Sequence, residues 1–210
     1  WKNDREKIFE TGRQVHEHLQ MLDKDFSGDL PGADIFEKAF EDIASGYDTQ
    51  NGGFSSAPKF PMPHIPMLML RIWKRDGRQE ALSMVTSTLK AMHGGGMFDH
   101  LGGGFHRYST DEYWILPHFE KMLYDQALVS LTYVQAFQAT GDKYYADVAS
   151  AVYDYGLRVL TSPEGGFFCG EDADSEGVEG KYYLWTKKEI DTLLDEQEAA
   201  AFKEYYNVSA

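Results

Sequence analysis

His93-Gly94-Gly95-Gly96-Met97-Phe98-Asp99-His100-Leu101-Gly102-Gly103-Gly104-Phe105-His106-Arg107-Tyr108 is followed within one connection by Trp114 and then by Pro117-His118-Phe119-Glu120. The glycines let the backbone take positive φ and let a ligand approach closely. Imidazoles, carboxylates, a guanidinium and aromatic rings sit among them, the mixture expected where a loop end does chemistry. Working outward, the Gly-Gly-Phe of this stretch occurs three times, at Gly52-Gly53-Phe54, Gly103-Gly104-Phe105 and Gly165-Gly166-Phe167. The phenylalanines are 51 and 62 residues apart. Pro63-His64 and Pro117-His118 repeat as well, and proline is preorganised for the first position of a helix.

Between the repeats the apolar residues fall at helical spacing. Ile8, Val15, Leu19 and Leu22 mark one helix. Ile35, Phe36, Phe40 and Ile43 mark a second, and Leu82, Val85, Leu89 and Met92 another. From His118 to Ala139 the apolar residues cover more than one face, which predicts an inner, two-sided helix. Residues 143–160 predict a further helix, and Thr186 with Glu189 a capping box. Arg75-Asp76-Gly77 and Thr140-Gly141-Asp142 are tight helix–helix turns. The connections at about 47–63, 93–116 and 161–185 are long, and long loops in a compact domain are usually functional. Short and long links alternate, so the long loops must leave the helix array at one end.

The expected fold class is therefore all-α: helical hairpins arranged as a partial α/α toroid, with short β-hairpins in the long loops. Six hairpins of this period need about 340 residues, so roughly three fit here. Residues 1–210 are read as one partial-toroid domain. Its N-terminal helices occupy 1–46, the hairpins bearing the motifs 47–190, and the start of a further hairpin 191–210.

Twenty Lys+Arg against 34 Asp+Glu give a net charge of −14. So acidic a surface repels phosphate backbones and anionic headgroups, and neither nucleic acid nor a membrane is an expected partner. No apolar run approaches the ~20 residues of a membrane span, and no signal-peptide pattern opens the chain. The expectation is a cytoplasmic domain. The chain opens at Trp1 rather than Met, as a piece of a longer protein would. The single cysteine, Cys169, has no thiol to pair with and reads as a half-buried small residue.

For chemistry, His118 is the candidate acid–base group, with Asp125 seven residues on, two turns deeper on the same helical face, and Glu120 a second acid–base candidate. Asp99, His100, His106, Arg107, Lys59 and Asp174 are candidate substrate ligands, with Trp114 and Tyr124 as stacking walls for a sugar. His64 reads more simply as a first-turn structural residue. The acidic run Glu171–Glu179 matches the start of a calcium loop but ends in Tyr183, so a solvated or substrate-facing rim is expected, followed by a hairpin over 181–185. Asp23–Asp34 matches more positions of a calcium loop, yet Pro31 and the short terminal aspartate favour a polar linker. No metal or cofactor is expected.

These residues also carry a resemblance. Gly52–Pro61, Phe98–Ser109, Pro117–Asp125 and Asp172–Ser175 are similar, in that order, to motifs of the thioredoxin-containing proteins related to spermatogenesis-associated protein 20, with the match running from about residue 47 to 190. The resemblance implies an N-terminal thioredoxin-like domain outside this chain, followed by a toroid similar to six-hairpin glycosidases and N-acylglucosamine 2-epimerases. There is no Cys-x-x-Cys here, so the redox part is not in this chain. A small-molecule carbohydrate and the thioredoxin-like domain of the same protein are the implied partners. Two readings follow: a sugar epimerase, isomerase or glycosidase-like enzyme, or a non-catalytic docking module.

Overall fold

The computed structural model describes residues 4–23 and 32–208. It divides into two compact units, Trp1–Lys38 and Ala39–Ala210. The first contains α1 (Arg5–Asp23) and the start of α2 (Asp34–Ser45). The stripe Ile8, Val15, Leu19 and Leu22 is helical as its spacing predicts, and its side chains are exposed. Most of the calcium-loop lookalike Asp23–Asp34 lies outside the described residues.

The second unit is built on four helices: α3 (His64–Asp76), α4 (Gln79–Gly94), α5 (Leu123–Thr140) and α6 (Lys143–Val159). Gly77 and Gly141 end α3 and α5 in the left-handed conformation, and Asp142 caps α6 by accepting from the Tyr144 N–H. These are the tight turns expected at both places. α3 packs against α4 and α5, and α5 against α6. Ile72, Val85, Leu89, Met92, Val129, Val148 and Val152 fill the core between them. Burial of each is worth about 1.5–3 kcal/mol. Tyr133 is buried among them because its hydroxyl donates to the Leu89 carbonyl at 2.6 Å. α5 has neighbours on two sides, which explains its broad apolar surface, and Leu128, Leu131 and Phe137 remain partly exposed along it.

The three long connections meet at one end, as the alternation of link lengths requires. Two of them carry short hairpins, β1 (Tyr108–Ser109) with β2 (Pro117–His118) and β5 (Asp174–Ser175) with β6 (Val178–Glu179), and β3 (Lys121–Met122) with β4 (Gly170–Glu171) joins one region to the next. Lys59 also bridges to Ser109. Among the described residues the chain closes with α7 (Lys187–Leu193), which opens on the capping box of Thr186 and Glu189, and α8 (Glu196–Tyr205).

Three local expectations are corrected. The helix predicted from His118 starts only at Leu123, because the preceding stretch of the same connection and the loop at 170–171 take the backbone of residues 117–122. Tyr108 pairs with His118, Lys121 with Glu171, and the Arg107 N–H donates to the Glu120 carbonyl at 2.9 Å. The hairpin expected over 181–185 is instead at 174–179, and residues 180–184 form a turn in which the Tyr183 and Leu184 N–H groups donate to the Gly180 carbonyl. Cys169 is exposed, not half-buried.

The Gly-Gly-Phe repeats share one geometry. The two glycines of each have positive φ, from 72° at Gly52 to 98° at Gly53. Each pair closes a turn with two backbone bonds, to Asp48, Asp99 and Ser162 respectively, at 2.8–3.0 Å. In the first two loops a buried lysine completes the unit. Lys59 donates to Asp48 at 2.5 Å and to the Gly52 carbonyl at 2.8 Å; Lys121 donates to Asp99 at 2.7 Å and to the Gly103 carbonyl at 2.8 Å. Helix side chains then hold the loops down: the Gly53 N–H donates to Thr88, and Gln126 exchanges two bonds with the Phe105 backbone.

Candidate functional site

At this loop end His118, Glu120, Arg107 and Asp125 form one group. His118 lies flat against Tyr108, ring centres 4.9 Å apart and planes 15° from parallel, and Tyr108 in turn contacts Phe60 at 4.7 Å. The His118 Nδ1 is 2.6 Å from Glu179 Oε1, and its Nε2 is 3.8 Å from Glu120 Oε2. Arg107 donates to Glu120 at 2.6 Å. His118 and Asp125 do not share a helical face, since His118 is in β2 and Asp125 is in the first turn of α5. Glu120 and Arg107 connect them: Glu120 touches His118, and both charges act on Asp125.

Asp125 is the unusual member. It is only 8% exposed, and its Oδ2 has no hydrogen-bond partner. A buried polar atom without a partner costs about 1–3 kcal/mol and calls for an explanation. Burial pushes the carboxyl up to about 7; Arg107 opposes the rise and Glu120 adds to it. Near neutrality it therefore both gives and takes a proton, which a free aspartate does not. Tyr124, beside it, is exposed.

Other candidates serve the scaffold. His106 is 3% exposed, its Nδ1–H donating to the Phe119 carbonyl at 3.0 Å and its ring packed edge-on against Phe119 and Tyr183. Burial, with Lys121 nearby, pulls it down to about 4, so it is neutral at pH 7. Trp114 is not a stacking wall, because it is 1% exposed with its indole N–H on the carbonyls of Asn51 and Gly52. Lys59 is equally buried and, like Asp99, committed to its ion pair, so neither presents a free charge to a ligand. His100 is exposed, near His93 and the Gly95 carbonyl. Asp174 is exposed in β5, directly across the hairpin from Glu179.

Sequence reading missed Glu179, Lys121 and Gln126. Glu179 comes from 61 residues away and had no signal beyond lying in an acidic run. Lys121 had one, in that Asp-x-x-x-Gly-Gly-Phe begins at both Asp48 and Asp99 and each is followed by a lysine. A separate recess of about 220 Å³ lies beyond the Tyr183 ring, lined among others by Lys121, Tyr155, Arg158, Glu171 and Asp172. Among the described residues no group of three or more His, Cys, Asp or Glu side chains is placed to hold a metal ion. No helix among them is long and apolar enough to cross a membrane.

No family model matches the chain. It is 44% identical over 211 residues to spermatogenesis-associated protein 20 of Mus musculus and 43% to that of Homo sapiens, in each case over 93% of this chain and 27% of the relative. It thus spans about a quarter of the length of the curated relatives it matches. Among solved structures, it is similar to the cellobiose 2-epimerase of Bacillus thermoamylovorans, with a TM-score of 0.58 and 12% identity over 80% of this chain and 52% of that one. A sugar epimerase from a ruminal bacterium gives a TM-score of 0.54 and 14% identity over 81% and 53%. At such identities the likeness is one of fold. The chain is a homologue of spermatogenesis-associated protein 20, matched over about a quarter of that protein and folded as part of an epimerase-type α/α toroid.

Proposed function

We propose that this segment carries the acid–base site of a carbohydrate-active toroid, acting by proton transfer next to a sugar carbonyl, as an epimerase or isomerase does. The observation that carries the reading is the buried Asp125 carboxyl, raised to about 7 and with one oxygen unpartnered, in one cluster with Glu120, Arg107 and His118. Protonated Asp125 supplies a hydrogen bond, then a proton, to the carbonyl oxygen. The Nε2 lone pair of His118 takes the proton from the adjacent carbon, which leaves an enediol; the imidazolium then returns a proton to carbon while the Asp125 carboxylate recovers one from the enediol hydroxyl, so both groups end as they began. The stacked Tyr108 and Phe60 offer a flat apolar wall to the C–H face of a sugar. A sugar as substrate is supported by the fold neighbours, a cellobiose 2-epimerase and a sugar epimerase.

The test is solvent exchange. Glucose, mannose, N-acetylglucosamine and cellobiose are incubated with the protein in deuterium oxide, and the C2 proton is followed by NMR. The reading expects loss of that signal, slowed about 10²–10⁴-fold in His118→Ala and in Asp125→Asn. Absence of exchange with every sugar, both for this chain and for the longer protein, sinks it.

A docking module is the second reading, and one observation favours it. Asp111 accepts from the N–H groups of Tyr113, Ile115 and Leu116, which fixes a loop whose Tyr113, Ile115 and Leu116 side chains are exposed. Apolar residues on a rigid loop suit a protein partner, and a thioredoxin-like domain of the same protein is the one proposed. Loss of partner binding in Ile115→Asp with sugar exchange intact separates the two readings.

A further inference from the structure

Glu179 ends the acidic run and lies outside the glycine- and histidine-bearing motifs, yet it makes the shortest polar contact of His118, 2.6 Å from Glu179 Oε1 to His118 Nδ1. We infer that Glu179 is a positioning residue that fixes the tautomer and ring orientation of His118, and that the 174–179 hairpin is built to hold it there. The functional consequence rests on the acid–base reading above; the geometry does not.

A carboxylate only accepts, so the bond requires the proton on Nδ1. In the neutral ring Nε2 is then bare. That nitrogen is 3.8 Å from Glu120 Oε2, beyond hydrogen-bond distance, and so stays available. Tyr108, stacked on the ring, sets its plane. Glu179 and Tyr108 together leave the imidazole one orientation, with the working nitrogen defined.

The backbone delivers Glu179 to this place. Glu176 and Gly177, the two central residues of the hairpin, have φ of 55° and 75°, the pattern of a type I′ turn, which sets the register Asp174↔Glu179. Directly after Glu179, Gly180 also has positive φ, its N–H donates to the Ala173 carbonyl at 2.9 Å, and it lies against the Phe119 ring. A Cβ there would come within 2.6 Å of that ring. Tyr183 stacks on Phe119 at 5.2 Å. The chain directly after Glu179 is therefore pinned to the residue next to His118. Lys181, the nearest cation in sequence, is paired with Glu176 and does not draw Glu179 away. The Glu179 side chain is half exposed, and exposed pairs add little to stability. The contact accordingly serves orientation more than folding.

The test reads the tautomer directly. Imidazole nitrogen shifts of ¹⁵N-labelled protein are recorded at pH 8.5, with the His118 signals assigned by their loss in His118→Ala. The parent protein should show the Nδ1–H form alone. In Glu179→Ala the Nε2–H form should appear. In Glu179→Gln it should appear too, since an amide can donate to a bare Nδ1 as well as accept. Melting temperatures of both should stay within about 2 °C of the parent. Gly180→Ala, which displaces the hairpin with Glu179 intact, should give the same mixing. A mixture already present in the parent, or an unchanged single form in Glu179→Ala, overturns the inference. Sugar exchange plays no part in this readout, so failure of the enzymatic reading is seen separately.

Discussion

Lys59 and Lys121 are equivalent residues of two successive loops. Each lysine is 1% exposed, and its ammonium bonds an aspartate and the carbonyl of the first glycine of a Gly-Gly-Phe. Each also lies over an aromatic ring, Trp114 for Lys59 and Tyr155 for Lys121. Burial raises the Asp48 and Asp99 carboxyls, but the lysines and backbone N–H groups outweigh it and hold both below the usual carboxylate range. The glycine turn and the ion pair are thus one repeated unit that shapes the loop end.

Removing one member of such a pair strands a buried charge. Lys121→Met should lower unfolding free energy by about 3–5 kcal/mol in urea denaturation, and Asp99→Asn combined with Lys121→Met should recover part of that loss. A single-variant loss below about 1 kcal/mol would show that the pair is not structurally important.

Asp125 and His106 are shifted in opposite senses, and the signs can be worked through. Asp125, raised to about 7 by burial, is protonated in the folded state where the unfolded chain has already released its proton. Its stabilising contribution is complete below the unfolded pKa of about 4 and is lost as pH rises through about 7. His106, pulled down to about 4 by burial and Lys121, is neutral when folded where the unfolded chain is protonated. Its contribution is present above about 6.5 and lost as pH falls toward 4. Between pH 4 and 6.5 the two slopes cancel. Asp125→Asn should therefore expose a stability that rises with pH by up to about 1.4 kcal/mol per unit in that window. It should also stabilise the protein by on the order of 2–4 kcal/mol at pH 8.5. Parallel pH profiles for parent and variant, from urea unfolding, would contradict the Asp125 shift, and a flat variant profile over that window would contradict the His106 shift.

The Gly-Gly-Phe turns differ in what surrounds them. A Cβ on Gly104 would stand 2.6 Å from the Tyr155 ring, on a backbone with φ of 81°. Gly166, with φ of 91°, has open space around it. Gly104→Ala should then cost about 2–4 kcal/mol, combining backbone strain with overpacking, and Gly166→Ala about 1 kcal/mol from strain alone. Equal losses in thermal unfolding would mean that the ring gives way.

Much of the architecture was legible because it is written in local patterns. Apolar spacing located α4 and most of α5, Pro63 marked the start of α3, Gly77 and Gly141 the ends of α3 and α5, and Thr186 with Glu189 a cap, since each of these signals is decided within a few residues of chain. The threefold Gly-Gly-Phe and the alternation of short and long links placed three loops at one end without any knowledge of contacts. The candidate site was legible only in part. His118, Glu120 and Asp125 were found by residue type, but their relation was misread, because helical periodicity cannot register that residues 117–122 pair with Tyr108–Ser109 just before them and with the distant Gly170–Glu171. Trp114 and His106 looked like ligand-facing residues for the same reason: aromatic and imidazole side chains suit a cleft or a core equally well until their neighbours are known.

The amino-acid sequence by itself determined the helices, their caps, the repeated glycine turns and hence the partial toroid, all of which depend on φ preferences and on apolar periods of about 3.6 residues. Only the tertiary structure decided which polar groups lose their water and which meet across the loops. It left one oxygen of Asp125 without a partner, paired Lys121 with Asp99, and brought Glu179 to His118 across 61 residues. Desolvation and long-range pairing depend on what packs from elsewhere in the chain, and a local pattern carries no record of that.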